Sequence, residues 1–471
     1  MRERRQASIF AQMKGDIRKY RIAIAALILL SLLQTFLLLD FNFEDLRVKG
    51  QIIDDGLIAM QIARNMAAGR GETFDGIHTT NGYQPLWVLL MVPVFALFES
   101  PYTAAVFNII LSIIFLHVGL YFILKIAAHA SESYDSFLGA AILVSLLPYL
   151  KEHVINGLET PLYLAILSAS AWIIGRMLSR REKPGLKEGV LTGFLLALCF
   201  YARLDSFLLG FAVAASLFFW GGKINLGKVK YLLLSALTAS ILVAPYLIRN
   251  HIVHGGIVPI SGAVKRWYLS TCCPDFSSYM ASIEWRGPFH FLQNFLFGRI
   301  WLDSTPIFLA GTLIFCAFSV FLAIYLLKKE DKRGAIFFVY AALHLLFFVL
   351  IYRENVAYTS YYFVVEVIAF GLGAVIFVIE TLGKTGLPTI KKIVIGVIIT
   401  VVLIQTAALF VVRDREFEMY RGIYEAALWT KDNLPEEATY GSFWAGSYAF
   451  ISGRNVVNLD GICNNREFFE D

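Results

Sequence analysis

The stretch PLWVLLMVPVFALF, Pro85 to Phe98, decides how the chain is threaded. As a helix its fourteen residues reach only about 21 Å, against about 30 Å of hydrocarbon, and Pro85 and Pro93 fall within it. Other apolar runs are nearly as short, so the basic loops have to settle whether it crosses. If it stays on one side, four clusters share the side of the basic head (Arg2, Arg4, Arg5, Lys14, Arg18, Lys19, Arg21): Arg176 to Lys187, Lys223 to Lys230, Lys328 to Arg333, and Lys384 to Lys392. If it crosses, all four move outside, against the positive-inside bias. Tyr83 to Glu99 is therefore read as a re-entrant or juxtamembrane helix on the outer face, its ends covered by protein.

Composition fits this threading. With 58% apolar residues, 16% charged residues and a mean hydropathy of +0.64, the chain falls outside the soluble globular range and reads as an all-α polytopic membrane protein. Eleven spans are expected, at 22–39, 103–126, 134–150, 160–176, 187–202, 206–220, 231–249, 305–327, 334–352, 361–382 and 392–412. No small-residue cleavage site separates the first span from Asp40, so it is read as a retained helix. The net charge of +5 comes mostly from topology-setting loops, which argues against nucleic acid as a partner. The five cysteines have no metal-ligand spacing.

This topology places 40–102, 151–159, the turn at 202–205, 250–304, 353–360 and the tail from Arg413 outside. Outer segments are long and inner ones short, so the working surface faces away from the cytoplasm. Residues 1–412 are read as the transmembrane domain and 413–471 as a small extracytoplasmic segment. That segment is expected to hold a helix at Glu416 to Trp429 and strands at Ala438 to Phe443 and Asn455 to Leu459, around a Gly-rich turn.

The first outer loop carries Asp54-Asp55-Gly56, then Leu57 to Ala68, an apolar-rich stretch that reads as a short amphipathic helix on the membrane surface. Two adjacent carboxylates beside a bilayer are costly unless they bind a cation, pair with a base or handle protons. The plainer reading is that one of them N-caps the helix that follows. Spacing alone leaves both readings open.

A resemblance adds to this. The run Asp54 to Asn65, then Ala67-Ala68-Gly69-Arg70-Gly71 and Asn81-Gly82-Tyr83-Gln84-Pro85-Leu86-Trp87, resembles the first outer loop of GT-C glycosyltransferases, nearest the bacterial arabinofuranosyl- and mannosyltransferase-like branch. Asn156-Gly157-Leu158-Glu159-Thr160, Ala202-Arg203-Leu204-Asp205, Arg249-Asn250 through Pro259 to Lys265, and Val456 to Gly461 follow in the family's order. Ile260-Ser261 replaces the usual asparagine-threonine after the loop proline. The resemblance implies a GT-C fold and makes Asp55, nine positions before Arg64, the catalytic carboxylate, with Asp54 as its neighbour and Glu159 as the acidic residue of the second outer loop. It also implies substrate contacts from Arg64, Tyr83, Arg203 and Asn250.

The chemistry of such an enzyme can be stated from the residues. The chain shows no Gly-rich phosphate loop and no cytoplasmic domain for a nucleotide sugar, so the expected donor is a polyprenyl-phosphate sugar. The expected acceptor is a glycan, glycolipid or protein. The protein then has to deprotonate an acceptor hydroxyl, the role expected of Asp55, and to stabilise a departing phosphate. Arg353, Lys265 and Arg249, outer-face cations at helix ends, are the expected phosphate-binding groups, although each could equally snorkel to lipid headgroups. Asp54, Asp55 and Glu159 form a candidate oxygen-ligand set for Mg²⁺ or Mn²⁺. Two other classes stay open: a transporter of lipid-linked sugars and a non-catalytic envelope-assembly subunit. Against transport, the inner spans carry few ionisable groups (Glu366, Glu380 and the isolated His117 and His344), and the two halves differ in loop length.

Overall fold

The computed structural model describes residues 2–148, 151, 155–179, 185–220, 225–272, 317–328, 334–348, 360–384, 388–412 and 414–470. The helices are α1 (Arg2–Leu38), α2 (Phe43–Val48), α3 (Asp54–Ala67), α4 (Pro85–Leu97), α5 (Pro101–Ala130), α6 (Tyr134–Leu146), α7 (Thr160–Leu178), α8 (Leu186–Ala202), α9 (Leu208–Trp220), α10 (Leu226–His254) and α11 (Ile260–Cys272). They continue with α12 (Ala317–Leu327), α13 (Ala335–Leu346), α14 (Val364–Lys384), α15 (Pro388–Val412), α16 (Glu418–Asn433), α17 (Ala445–Ser452) and α18 (Arg466–Glu470). The described parts of the eleven expected spans are helical except at Leu39, Leu147 and Gly334, and the chain is an integral membrane protein.

Local sequence sets the helix starts. Ser100 accepts from the Thr103 N–H ahead of Pro101, Ser133 forms a capping box with Ser136, and Asn225 caps α10. Packing then sorts the spans into central and peripheral. α7 lies between α5 and α8, and α14 lies against α6 and α13; both are largely enclosed. Only 11% of the apolar window of α10 and 17% of that of α15 are buried, so Leu233, Ile241 and Leu403 need lipid as their solvent.

α4 packs on α3 and α5, with Trp87, Val88 and Met91 buried, and the Trp87 indole donates to the Gly157 carbonyl at 3.0 Å. Two expectations for the outer loop need correction. α3 is covered on nearly all sides, from Gly56 to Ala63, and is not an amphipathic surface helix. Ile53 occupies its N-cap position, so Asp54 and Asp55 are its first two residues and neither caps it. The first turn is pinched from both sides: a Cβ on Gly56 would stand 2.6 Å from the Asn156 carbonyl, and one on Gly446 would stand 2.3 Å from the Asp54 carbonyl. Only glycine permits either approach.

The C-terminal segment holds α16, the strands β1 (Thr439–Ser442) and β2 (Asn455–Asn458), and α17 between them. The strands pair in parallel, Thr439 with Asn455 through Ser442 with Asn458. A Gly-rich turn was expected between them, but parallel strands need a crossover, and α17 provides it.

Candidate active site

Asp55 lies in the wall of a cavity of about 530 Å³, a size that suits a small-molecule site. Ile58 and Ala59 of α3, Tyr83, Gln84 and Trp87 around the start of α4, Leu158 and Glu159, the turn at Asp205, Tyr246 of α10, Lys265 of α11, and Tyr362 also line it. Phe200, Leu204, Phe207, Leu247, Phe347 and Phe348 make an apolar wall toward the spans.

The floor beneath Glu159 is a buried chain of charges. Glu159, 6% exposed, occupies the N-cap position of α7 and lies 3.9 Å from Arg203 Nε. Arg203, 1% exposed, places both Nε and Nη2 at 3.0 Å from Asp205 Oδ2. His344 Nε2 is 3.4 Å from the same oxygen, and His344 Nδ1 is hydrogen-bonded to Glu366. Burial raises the Glu159 carboxyl, against the pull of Arg203. Burial would also raise Asp205, but Arg203 and then His344 outweigh it and hold that carboxyl below the usual aspartate range. Above Arg203, at 4.5 Å, is the Tyr362 ring. The Lys265 ammonium donates to the Tyr362 hydroxyl at 2.8 Å and lies 4.9 Å from the ring.

Asp54 belongs to another region. Its Oδ2 accepts from the Gly446 N–H at 3.1 Å, and its Oδ1 accepts from the Ser447 N–H at 2.8 Å and the Ser447 hydroxyl at 2.6 Å. It therefore caps α17 and does not line the cavity. Burial pushes its carboxyl upward, opposed by Ser447 and Arg47, and the charge of Asp55 contributes less than any of these. Arg64 donates to the Phe450 carbonyl at 3.3 Å, in the last turn of α17. Arg249 pairs with Glu72, which also accepts from the Tyr83 hydroxyl at 2.7 Å. Asn250 is fully buried in α10, outside the cavity lining. Arg353 lies outside the described residues.

The structure thus brings Asp55, Glu159, Tyr83 and Lys265 to one cavity, with Arg203 directly beneath. It does not bring Asp54, Arg64, Arg249 or Asn250 there. The metal set fails for the same reason: both oxygens of Asp54 are engaged by α17. Among the described residues no group of three or more His, Cys, Asp or Glu could hold a metal ion. Asp205, Tyr246, Tyr362, His344 and Glu366 were not chosen from sequence as site residues. Asp205 stood inside a quoted motif, but His344 and Glu366 come from separate spans with no shared pattern.

No protein-family model matches the chain, and no curated protein matches it. Solved structures do. ArnT from Cupriavidus metallidurans bound to undecaprenyl phosphate superimposes with a TM-score of 0.55 at 13% identity, over 93% of this chain and 86% of ArnT. An Archaeoglobus fulgidus oligosaccharyltransferase tethered with an acceptor peptide superimposes with a TM-score of 0.57 at 11% identity, over 93% of this chain and 64% of the enzyme. ArnT in the apo state gives 0.53 at 12%. At these identities the likeness establishes the fold: the chain has the GT-C fold of membrane glycosyltransferases.

Proposed function

We propose that this protein is a membrane glycosyltransferase that moves a monosaccharide from a polyprenyl-phosphate donor to an acceptor on the extracytoplasmic face. The observation that carries this reading is a single cavity that combines Asp55, Glu159 and Lys265 with an apolar wall toward the spans. The apolar wall suits an isoprenoid chain, and Lys265, oriented by Tyr362, suits the phosphate. Asp55 serves as general base. The acceptor O–H bond breaks, its proton passes to the Asp55 carboxylate, and the oxygen attacks the anomeric carbon. The bond from that carbon to the phosphate oxygen breaks, and the electron pair leaves on the polyprenyl phosphate. Glu159, paired with Arg203, faces the sugar. The ArnT structure with undecaprenyl phosphate and the oligosaccharyltransferase structure with an acceptor peptide support substrates of these two kinds. The basic loops support a cytoplasmic N-terminus, and with it an extracytoplasmic cavity and C-terminal segment.

The test is transfer from a panel of radiolabelled polyprenyl-phosphate sugars by purified protein in lipid, wild type against Asp55→Asn. Transfer by wild type alone is expected. Equal transfer by both proteins removes Asp55 as base, and translocation of intact donor without transfer points to a carrier.

A further inference from the structure

The two strands of the C-terminal segment stop at one edge, and that edge carries apolar side chains in the open. Beyond Ser442 come Phe443 and Trp444, and beyond Asn458 comes Leu459, with exposures of 65%, 38% and 43%. The Leu459 N–H donates to the Ser442 carbonyl at 3.0 Å, so these side chains issue from adjoining strand ends. The Trp444 ring is braced edge-on by Tyr420, with centroids 6.2 Å apart. Large apolar groups grouped in this way mark a surface that takes a partner.

Its place in the fold limits what that partner is. Trp444 stands two residues before Gly446, whose N–H holds Asp54, the neighbour of Asp55. Leu459 stands three residues before Ile462, which lines the cavity, and three residues of chain span at most roughly 11 Å. Asp460 is exposed and lies close enough to Asp54 and Asp55 to be influenced by both charges. The apolar edge therefore adjoins the cavity on the side of α3, about one or two sugar rings from its wall, and brings a carboxylate with it.

We propose that this edge is the acceptor subsite and that the acceptor is a saccharide. One of its rings packs a C–H face on Phe443 and Trp444, and its hydroxyls donate to Asp460. Aromatic faces are electron-rich and match the weakly positive C–H face of a pyranose, while a carboxylate accepts from hydroxyls. A lipid chain would have no use for Asp460. The assignment rests on the glycosyl-transfer reading above and narrows its acceptor from glycan, glycolipid or protein to a sugar ring.

The experiment uses full-length protein in lipid nanodiscs on an array of immobilised mono- and oligosaccharides, with melting temperatures measured for every variant. Wild type is expected to retain one glycan class. Trp444→Ala and Phe443→Ala each lower retention about ten-fold, and Trp444→Phe restores it. Phe443→Ala, at the more exposed ring, serves where Trp444→Ala fails to fold. Retention of no glycan by wild type overturns the proposal, as does unchanged retention in both alanine variants, the result expected if the rings lie in lipid. Because retention is read without turnover, failure of the transfer assay and failure of this subsite are separate results.

Discussion

At the joint between α3 and α17, both oxygens of Asp54 are matched to donors from Gly446 and Ser447. At the cavity floor, by contrast, Arg203 Nη1, Asp205 Oδ1 and Glu366 Oε2 are buried without a hydrogen bond among the described residues. Leaving buried polar groups unmatched costs stability, and folds keep them mainly where chemistry needs them. The adjacent carboxylates thus lie in different surroundings, Asp54 held by α17 and Asp55 in the cavity wall.

Arg203→Ala should have the largest effect, because it leaves Glu159 and Asp205 buried without their cation. We expect a loss of about 3–5 kcal/mol in chemical denaturation. Wild-type stability in this variant would mean the floor does not depend on charge balance. Next comes the contrast between the neighbours. Asp55→Asn should lower transfer about 10²–10⁴-fold with an unchanged melting temperature. Asp54→Ala should cost about 1–3 kcal/mol of stability while its folded fraction keeps its turnover. Exchange of these two phenotypes would break the comparison outright.

The pH dependence sharpens it. The Asp54 carboxyl is raised, so its contribution to stability is fully present below 3.8 and is lost as pH climbs through its folded value. The Asp205 carboxyl is depressed, so its contribution is present above 3.8 and is lost as pH falls through its folded value. Melting curves of Asp54→Asn and Asp205→Asn, each referred to wild type, should therefore change in opposite directions with pH. Slopes of the same sign would undo the distinction. The smallest effect belongs to Arg249→Ala. Its pair with Glu72 is half-exposed, and its loss should cost less than about 1 kcal/mol. A large rise in donor KM in that variant would return Arg249 to the phosphate.

The spans were legible because lipid imposes a composition that a single run of sequence displays. A helix in the first outer loop was legible from Leu57 onward, but Asp54 and Asp55 were read as standing before it, whereas they form its first turn. What stayed hidden was pairing across the fold. Asp54 finds its partners 392 and 393 residues away, so its sequence neighbourhood shows only a second acid. His344 looked isolated because Glu366 and Asp205 reach it from other elements. α17 was missed because Ala445-Gly446-Ser447 reads locally as a turn, and only parallel strand pairing reveals the crossover. Arg249 looked free because Glu72 lies in a loop with no periodic pattern.

The separation between Asp54 and Gly446 also orders events during biosynthesis. At about 5–20 residues per second, the ribosome needs roughly 20–80 s to travel from one to the other. Through that interval every span can enter the bilayer while the loop bearing Asp55 still lacks its last support. A chain cut short before α17 would be inserted yet unfinished at its working end. The segment that carries α17 therefore acts as a check that the first outer loop has been completed.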